Sequence, residues 1–258
     1  MSKKEAKVLA VINQKGGVGK STTSINLSAG FAANGLKVLA VDLDPQGTLT
    51  LFSGAERDGV DSVYHVITGS ESIKDTIQSL ENYDIVPANL QLSTAVPELA
   101  GVTGAEFRLK EAVEAVRGDY DVIIVDGPPS LGILTINALT AADYVLVPTD
   151  ASIADIEPIG QLGQAIARVK QYTNPNIKIA GIVLAAYDPR TTIGKDMAKV
   201  AGKIAEKLDT SILETTIRDT CVVKEAQARR LSVFEWKPNH AITQDYKNLT
   251  KEVYSRIS

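Results

Sequence analysis

Residues Asn13-Gln14-Lys15-Gly16-Gly17-Val18-Gly19-Lys20-Ser21-Thr22 place three glycines, two lysines and two hydroxyls within ten consecutive positions. That combination suits phosphate binding. Glycines let backbone N–H groups close around phosphate oxygens without a Cβ in the way, and a helix starting behind them adds donors and a favourable dipole. In such a loop Lys20 would reach the β- and γ-phosphates, the Ser21 hydroxyl would ligate Mg2+, and Thr22 would hydrogen-bond the α-phosphate. The phosphate-loop pattern G-x-x-x-x-G-K-[ST] asks for glycine at position 14, where this chain has Gln14. Lys15, next to it, either neutralises charge that develops during phosphoryl transfer or is an ordinary solvated lysine.

Acidic residues stand at two further apolar runs, in Asp42-Leu43-Asp44-Pro45-Gln46-Gly47 and in Val122-Ile123-Ile124-Val125-Asp126-Gly127-Pro128-Pro129. Asp126 closes its run, and the Gly-Pro-Pro that follows forces a stiff loop. In open α/β sheets ligands bind at that edge. Asp42, two residues before Asp44, projects to the same side of an extended strand; it would support the metal or the loop, or cap the following turn.

These residues need a sheet to align them. Short β-branched runs recur at Val8–Ile12, Lys37–Asp42, Tyr83–Val86, Asp121–Asp126, Tyr144–Pro148 and Lys178–Ala186. Several are apolar almost throughout, which suits strands covered on both faces. Stretches of helical periodicity lie between them: Ser21–Asn34, with Gly35 placed to cap it, Ala105–Arg117, Ala151–Tyr172, Thr192–Leu208 and His240–Ile257. The expected fold is α/β, a mostly parallel central sheet with helices on both faces, in one domain spanning 1–258. Residues 1–6 are expected to be a flexible lead-in.

The composition narrows the function. The 258 residues carry 27 basic and 31 acidic side chains, for a net charge of −4, and 44% are apolar, enough for a full core. The only cysteine, Cys221, excludes an internal disulfide and a paired-thiolate metal site within one chain. The apolar run behind Met1–Lys7 is too short for a signal peptide, and Ile179–Tyr187 is about half of what a membrane-spanning helix requires. A cytoplasmic protein is expected. Residues 1–150 hold 11 basic and 19 acidic side chains, whereas 151–258 hold 16 basic and 12 acidic. A polyanion, if there is one, should meet the C-terminal part; the alternative is a plain difference in solvated surface.

The motifs carry a resemblance. Lys15 to Thr22 resembles the deviant phosphate loop of the ParA/MinD family of ATPases, and Asp42 to Gly47 resembles the segment that follows in its ParA/Soj branch. Val122 to Pro129 is similar to the family's second acidic strand end, where Cys or Thr is commoner than Gly127. The likeness runs from about Val8 to the last helix. It implies a P-loop NTPase fold and cofactors ATP and Mg2+, with nucleotide held by Gly16, Gly17, Val18, Gly19, Lys20, Ser21 and Thr22. It further implies that Lys15 is a signature lysine crossing a dimer interface to the partner's nucleotide, so that ATP is sandwiched in a homodimer. A cation completed only on dimerisation acts as an arginine finger does, and the monomer would be nearly silent. Asp44 would orient or deprotonate the attacking water. Asp126 would hold Mg2+, through water, and Gly127–Ser130 would form a switch sensing the γ-phosphate.

Farther on, Ala186-Tyr187-Asp188-Pro189-Arg190-Thr191 resembles the family's Met-Tyr-Asp-x-Arg-Thr, and Thr216 to Ala226 stands where Ile-Pro-Arg-Asn-Val-Arg-Leu-Ser-Glu-Ala is usual. Arg218, Asp219 and Val222 depart from that pattern, which puts adenine and DNA contacts from this loop in doubt. The resemblance implies nonspecific binding of double-stranded DNA, nucleoid association, and hydrolysis stimulated by a ParB-like centromere-binding partner in plasmid or chromosome partition. Lys195, Lys199, Lys203 and Lys207 recur every four residues, along one helical face, opposite Met197, Val200, Ala201, Ile204 and Leu208. With Arg190, Arg218, Lys224, Arg229 and Arg230 they are the candidate DNA contacts; the alternative is a stripe that only solubilises its helix. No helix-turn-helix extension precedes Val8, so operator binding is not expected.

Other classes fit less well. A MinD-like membrane regulator would need an amphipathic C-terminal anchor, whereas Tyr246–Ser258 reads as a closing helix, so no membrane partner is expected. A nitrogenase-type reductase would need two cluster cysteines. A ligase of the same superfamily would need a substrate pocket, which the sequence neither shows nor excludes, and a ParA-like positioning ATPase for a non-DNA cargo shares every motif above and is barely separated from partition by sequence.

Overall fold

The computed structural model describes residues 5–150, 156–188 and 191–258. Seven strands run in chain order: β1 (Lys7–Val11), β2 (Val38–Asp42), β3 (Gln78–Ser79), β4 (Asp84–Val86), β5 (Val122–Asp126), β6 (Tyr144–Thr149) and β7 (Lys178–Leu184). They form one sheet in the order β3-β4-β2-β5-β1-β6-β7. All neighbouring pairs are parallel except β3 with β4. The six strands expected from the sequence are all present; the two-residue β3 is too short to leave a pattern.

Alternate residues of the central strands feed two cores, because successive side chains point to opposite faces. Val8, Ala10, Ile12, Leu39, Val41, Ile123 and Val125 join one, and Leu9, Val11, Val38, Ala40, Val122 and Ile124 join the other. Each such side chain is removed from water, worth about 1.5–3 kcal/mol for a fully buried Val, Leu or Ile. This is why the strands read as unbroken apolar runs.

On the second face lie α1 (Lys20–Ala33) and α2 (Thr48–Ser53), and the first face carries α3 (Val63–Thr68), α4 (Ile73–Thr76), α5 (Leu92–Leu99), α6 (Arg108–Glu114), α7 (Ile133–Ala141), α8 (Ile156–Tyr172) and α9 (Thr192–Lys207). The chain closes over the second face with α10 (Cys221–Ala228), α11 (Val233–Trp236) and α12 (Ala241–Ile257). Gly35 takes a left-handed φ of 81° and donates its N–H to Ala32 O at 2.8 Å, so it ends α1 as expected. The stretch expected as one helix over 105–117 is broken: a 3-10 turn at Ala105–Phe107 precedes α6, and a second at Arg117–Asp119 follows.

Of the expected lead-in, residues 1–4 lie outside the described residues. Ala6 is buried, donates its N–H to Arg117 O at 3.0 Å and accepts from Arg117 Nε at 3.1 Å, so the segment is anchored at its sixth residue. Residues 151–155, the expected start of α8, lie outside the described residues too. Among the described residues no helix is long and apolar enough to cross a membrane.

Candidate active site

The phosphate loop leaves the C-terminal end of β1, the point from which the neighbouring strands β5 and β6 diverge to either side. Asn13, fully buried, shapes the turn: its Nδ2 donates to Pro148 O at 2.7 Å, and its Oδ1 accepts from Lys15 N at 3.1 Å. Gly17 and Gly19 adopt left-handed φ values of 79° and 85°, which explains glycine at both. A Cβ at Gly16 or Gly17 would meet no protein atom within 4 Å, so the loop's backbone faces outward and is accessible. Val18 is buried beneath it.

Lys20, at the first position of α1, is only 7% exposed and folds back to donate to Lys15 O at 3.0 Å. Burial lowers its proton affinity, while the charges of Asp126 and Asp44 act to raise it. Asp126 and Asp42 face each other in register at the ends of adjacent β5 and β2, both fully buried. Burial, then the Asp42 charge, pushes the Asp126 carboxyl up to about 7, against the nearby Ser21 and Ser24 hydroxyls and the charge of Lys20. Its Oδ1 accepts from Ser24 Oγ at 2.8 Å, and its Oδ2 has no partner. An unpaired buried carboxylate oxygen beside the Ser21 hydroxyl fits a hard cation that takes oxygen ligands. Among the described residues no group of three or more His, Cys, Asp or Glu could hold a metal, so Mg2+ here would keep waters and phosphate oxygens as its other ligands.

Asp42 supports the loop. Its Oδ2 accepts from Thr50 N at 2.8 Å and Thr50 Oγ1 at 2.7 Å, and its Oδ1 from Asp44 N at 3.2 Å. Thr50 Oγ1 in turn accepts from Ala88 N at 2.9 Å. Burial, partly offset by these bonds, raises the Asp42 carboxyl to about 6. The loop it braces carries Asp44, 8% exposed, whose Oδ1 caps Gln46 N at 3.0 Å.

Lys15 stands at the mouth, paired through both oxygens of Asp150 at 2.7 and 2.9 Å. Asp150 sits just past β6, and its partnership with Lys15 had no signal in the sequence beyond an acid at a strand exit. At the other strand exit, a Cβ on Gly127 would overlap Cδ1 of Ile12. The isoleucine fills the space a side chain at 127 would need.

A family profile described as an AAA domain matches residues 6–179. The sporulation initiation inhibitor protein Soj of Bacillus subtilis is 38% identical over 250 residues, covering 96% of this chain and 98% of its own. The chromosome partitioning protein ParA of Caulobacter vibrioides is 37% identical, covering 99% and 97%. The chain belongs to the ParA/Soj family of partition ATPases. Among solved structures, cobyrinic acid a,c-diamide synthase from Mycobacterium smegmatis with bound ADP and magnesium superposes with a TM-score of 0.83 at 34% identity, covering 95% of this chain and 93% of its own.

The C-terminal stretches that depart from the ParA/Soj pattern meet beside the phosphate loop. Tyr187 N donates to Ile217 O at 3.0 Å, and Ile217 N to Leu184 O at 2.8 Å, so the 184–188 and 216–218 segments are paired. Ala186 between them holds a left-handed φ of 51°, and a Cβ on Gly19 would touch Ala185. Arg218 is committed to Asp245, with Nε and Nη2 donating at 2.6 and 2.8 Å. Lys224, Arg229 and Arg230 are exposed on α10 and the turn after it, and Arg229 lies 3.8 Å over the Trp236 ring. On α9, Lys195, Lys199 and Lys203 are exposed, Lys199 pairing with Asp196 at 3.3 Å, while Ala201 is buried and Val200 and Leu208 half-buried. Arg190 and the side chains of Lys207, Met197 and Ile204 lie outside the described residues.

Proposed function

We propose that this ParA/Soj-type ATPase is a nucleotide-driven switch: it takes up Mg-ATP, dimerises with ATP between the subunits, and binds double-stranded DNA without sequence preference. A ParB-like partner then triggers hydrolysis and release, moving a plasmid or chromosome. The observation that carries the reading is the convergence of Lys20, Ser21, Asp126 and Asp44 on one loop, with Lys15 held at its mouth.

Each residue has a part that its position permits. The backbone N–H groups of the loop, accessible at Gly16 and Gly17, and the Lys20 ammonium bind and orient the β- and γ-phosphates. Mg2+ bound at Ser21 and, through water, at Asp126 would neutralise charge on the phosphate oxygens. Asp42, through Asp44 N and Thr50, keeps the Asp44 carboxylate at the mouth, where it accepts the proton of the attacking water. Lys15 exchanges Asp150 for the γ-phosphate held by the partner subunit, so stabilisation of the transferring group is complete only in the dimer.

Size measurement by light scattering tests this. Wild type with ATP should move from monomer to dimer while Lys20→Ala stays monomeric; ATP-dependent dimerisation of Lys20→Ala would remove the loop from the mechanism.

A further inference from the structure

The phosphate loop's helix is tied to a residue that lies far along the chain. Gln227 on α10 donates from Nε2 to Thr22 Oγ1 at 2.8 Å across 205 residues of sequence. The same turn of α1 is fixed from a second side: Asn26 Nδ2 donates to Thr22 O at 2.8 Å, and Asn26 Oδ1 accepts from Val233 N at 2.9 Å. Gln227 itself is braced by its own helix end, where its carbonyl accepts from Arg230 N at 3.0 Å. The C-terminal elements therefore reach the first turn of the helix that follows the phosphate loop.

A threonine hydroxyl has one hydrogen to give and two lone pairs to receive with. When an amide N–H occupies a lone pair, the hydroxyl hydrogen is left to point at another acceptor. We infer that Gln227 is a positioning residue for the nucleotide, acting through Thr22: its amide fixes the Thr22 hydroxyl so that the hydrogen is directed to the α-phosphate. The inference rests on the nucleotide-binding reading above and adds to it a residue outside the phosphate loop. Neither the glycine pattern nor the lysine spacing involves position 227.

The test uses the full chain and Mg-ADP, a ligand with an α-phosphate that avoids turnover. Affinity is measured by calorimetry for wild type, Gln227→Ala, Gln227→Glu, Thr22→Ala and the Thr22→Ala/Gln227→Ala double variant. Losing one oriented hydrogen bond predicts a loss of about three- to tenfold for Gln227→Ala. Gln227→Glu, nearly the same shape, should lose more, because its carboxylate takes the Thr22 hydrogen for itself and adds negative charge near phosphate. In the Thr22→Ala background, Gln227→Ala should change affinity less than twofold, a coupling that a merely structural role would not produce. Should Gln227→Ala fail to fold, Gln227→Leu, which keeps the bulk and removes the amide, takes its place in the cycle with Thr22→Ala. Binding of ADP by wild type and both Gln227 variants within twofold would overturn the inference, as would equal losses with and without Thr22. Wild type that fails to bind Mg-ADP would overturn the nucleotide reading itself.

Discussion

Replacing Asp126 by asparagine should make the nucleotide-free protein more stable, and increasingly so as pH rises. In the folded state the Asp126 carboxyl is fully buried, faces Asp42 across one strand pair, leaves Oδ2 without a partner and keeps its proton up to about 7. In the unfolded chain the same group releases its proton near 3.8. The folded state therefore binds more protons between those values, and linkage makes stability fall as pH rises through that window. The stability is fully present below the unfolded value and is lost on passing the folded one. At about 1.4 kcal/mol per pH unit the full loss has a ceiling of about 4 kcal/mol, of which roughly 2–3 kcal/mol falls between pH 5 and pH 8. Loss of attraction to Lys20 and an asparagine amide without an acceptor reduce the gain, so the Asp126→Asn advantage should grow by about 2 kcal/mol over that range. Urea unfolding of both proteins at pH 5 and pH 8, without Mg2+ or nucleotide, measures it. An advantage that stays flat or shrinks with pH would mean that Asp126 does not keep its proton in the folded state. The same variant should lose Mg2+-dependent nucleotide binding, since the strained carboxylate is kept for the cation.

Three further outcomes follow from named contacts. Gly127→Ala meets only the terminal Cδ1 of Ile12 and should cost about 1 kcal/mol, shrinking in the Ile12→Val background; additive losses in urea unfolding would show that the two do not touch. Asp150→Asn removes a carboxylate from Lys15, and because this pair is partly exposed it should raise ATP-dependent dimer formation only about two- to fivefold, with a fall in dimer formation pointing to a role for Asp150 in assembly. Changing Lys195, Lys199 and Lys203 to Glu should leave dimerisation intact and weaken DNA binding, whereas undiminished binding would assign the stripe to solubility.

Much of this site was legible because its chemistry is local. The glycines and Lys20 sit within five residues, and the acids end strands whose unbroken apolar character fixes them at one sheet edge. What escaped depends on contacts between distant segments. Asn13 with Pro148, Lys15 with Asp150, and Thr22 with Gln227 are joined only by folding. Helix α7 left no period because it is buried nearly all round, and α2 and α3 are only six residues each. Glycine at 127, which departs from the family pattern, has Ile12 Cδ1 in the space a Cβ would take, a contact between residues 115 positions apart. Arg218, a candidate DNA contact by its charge, is already engaged by Asp245 from α12.

The most direct test of the switch is binding of Asp44→Ala protein to random-sequence duplex DNA, with ATP or ADP, across a salt series. Hydrolysis should be blocked and the ATP dimer held. Binding is expected with ATP only. With three exposed lysines from each α9 of the dimer, affinity should fall about a thousandfold from 50 to 200 mM salt. Equal binding with ADP, or an ATP dimer that ignores DNA at every salt concentration, would contradict it.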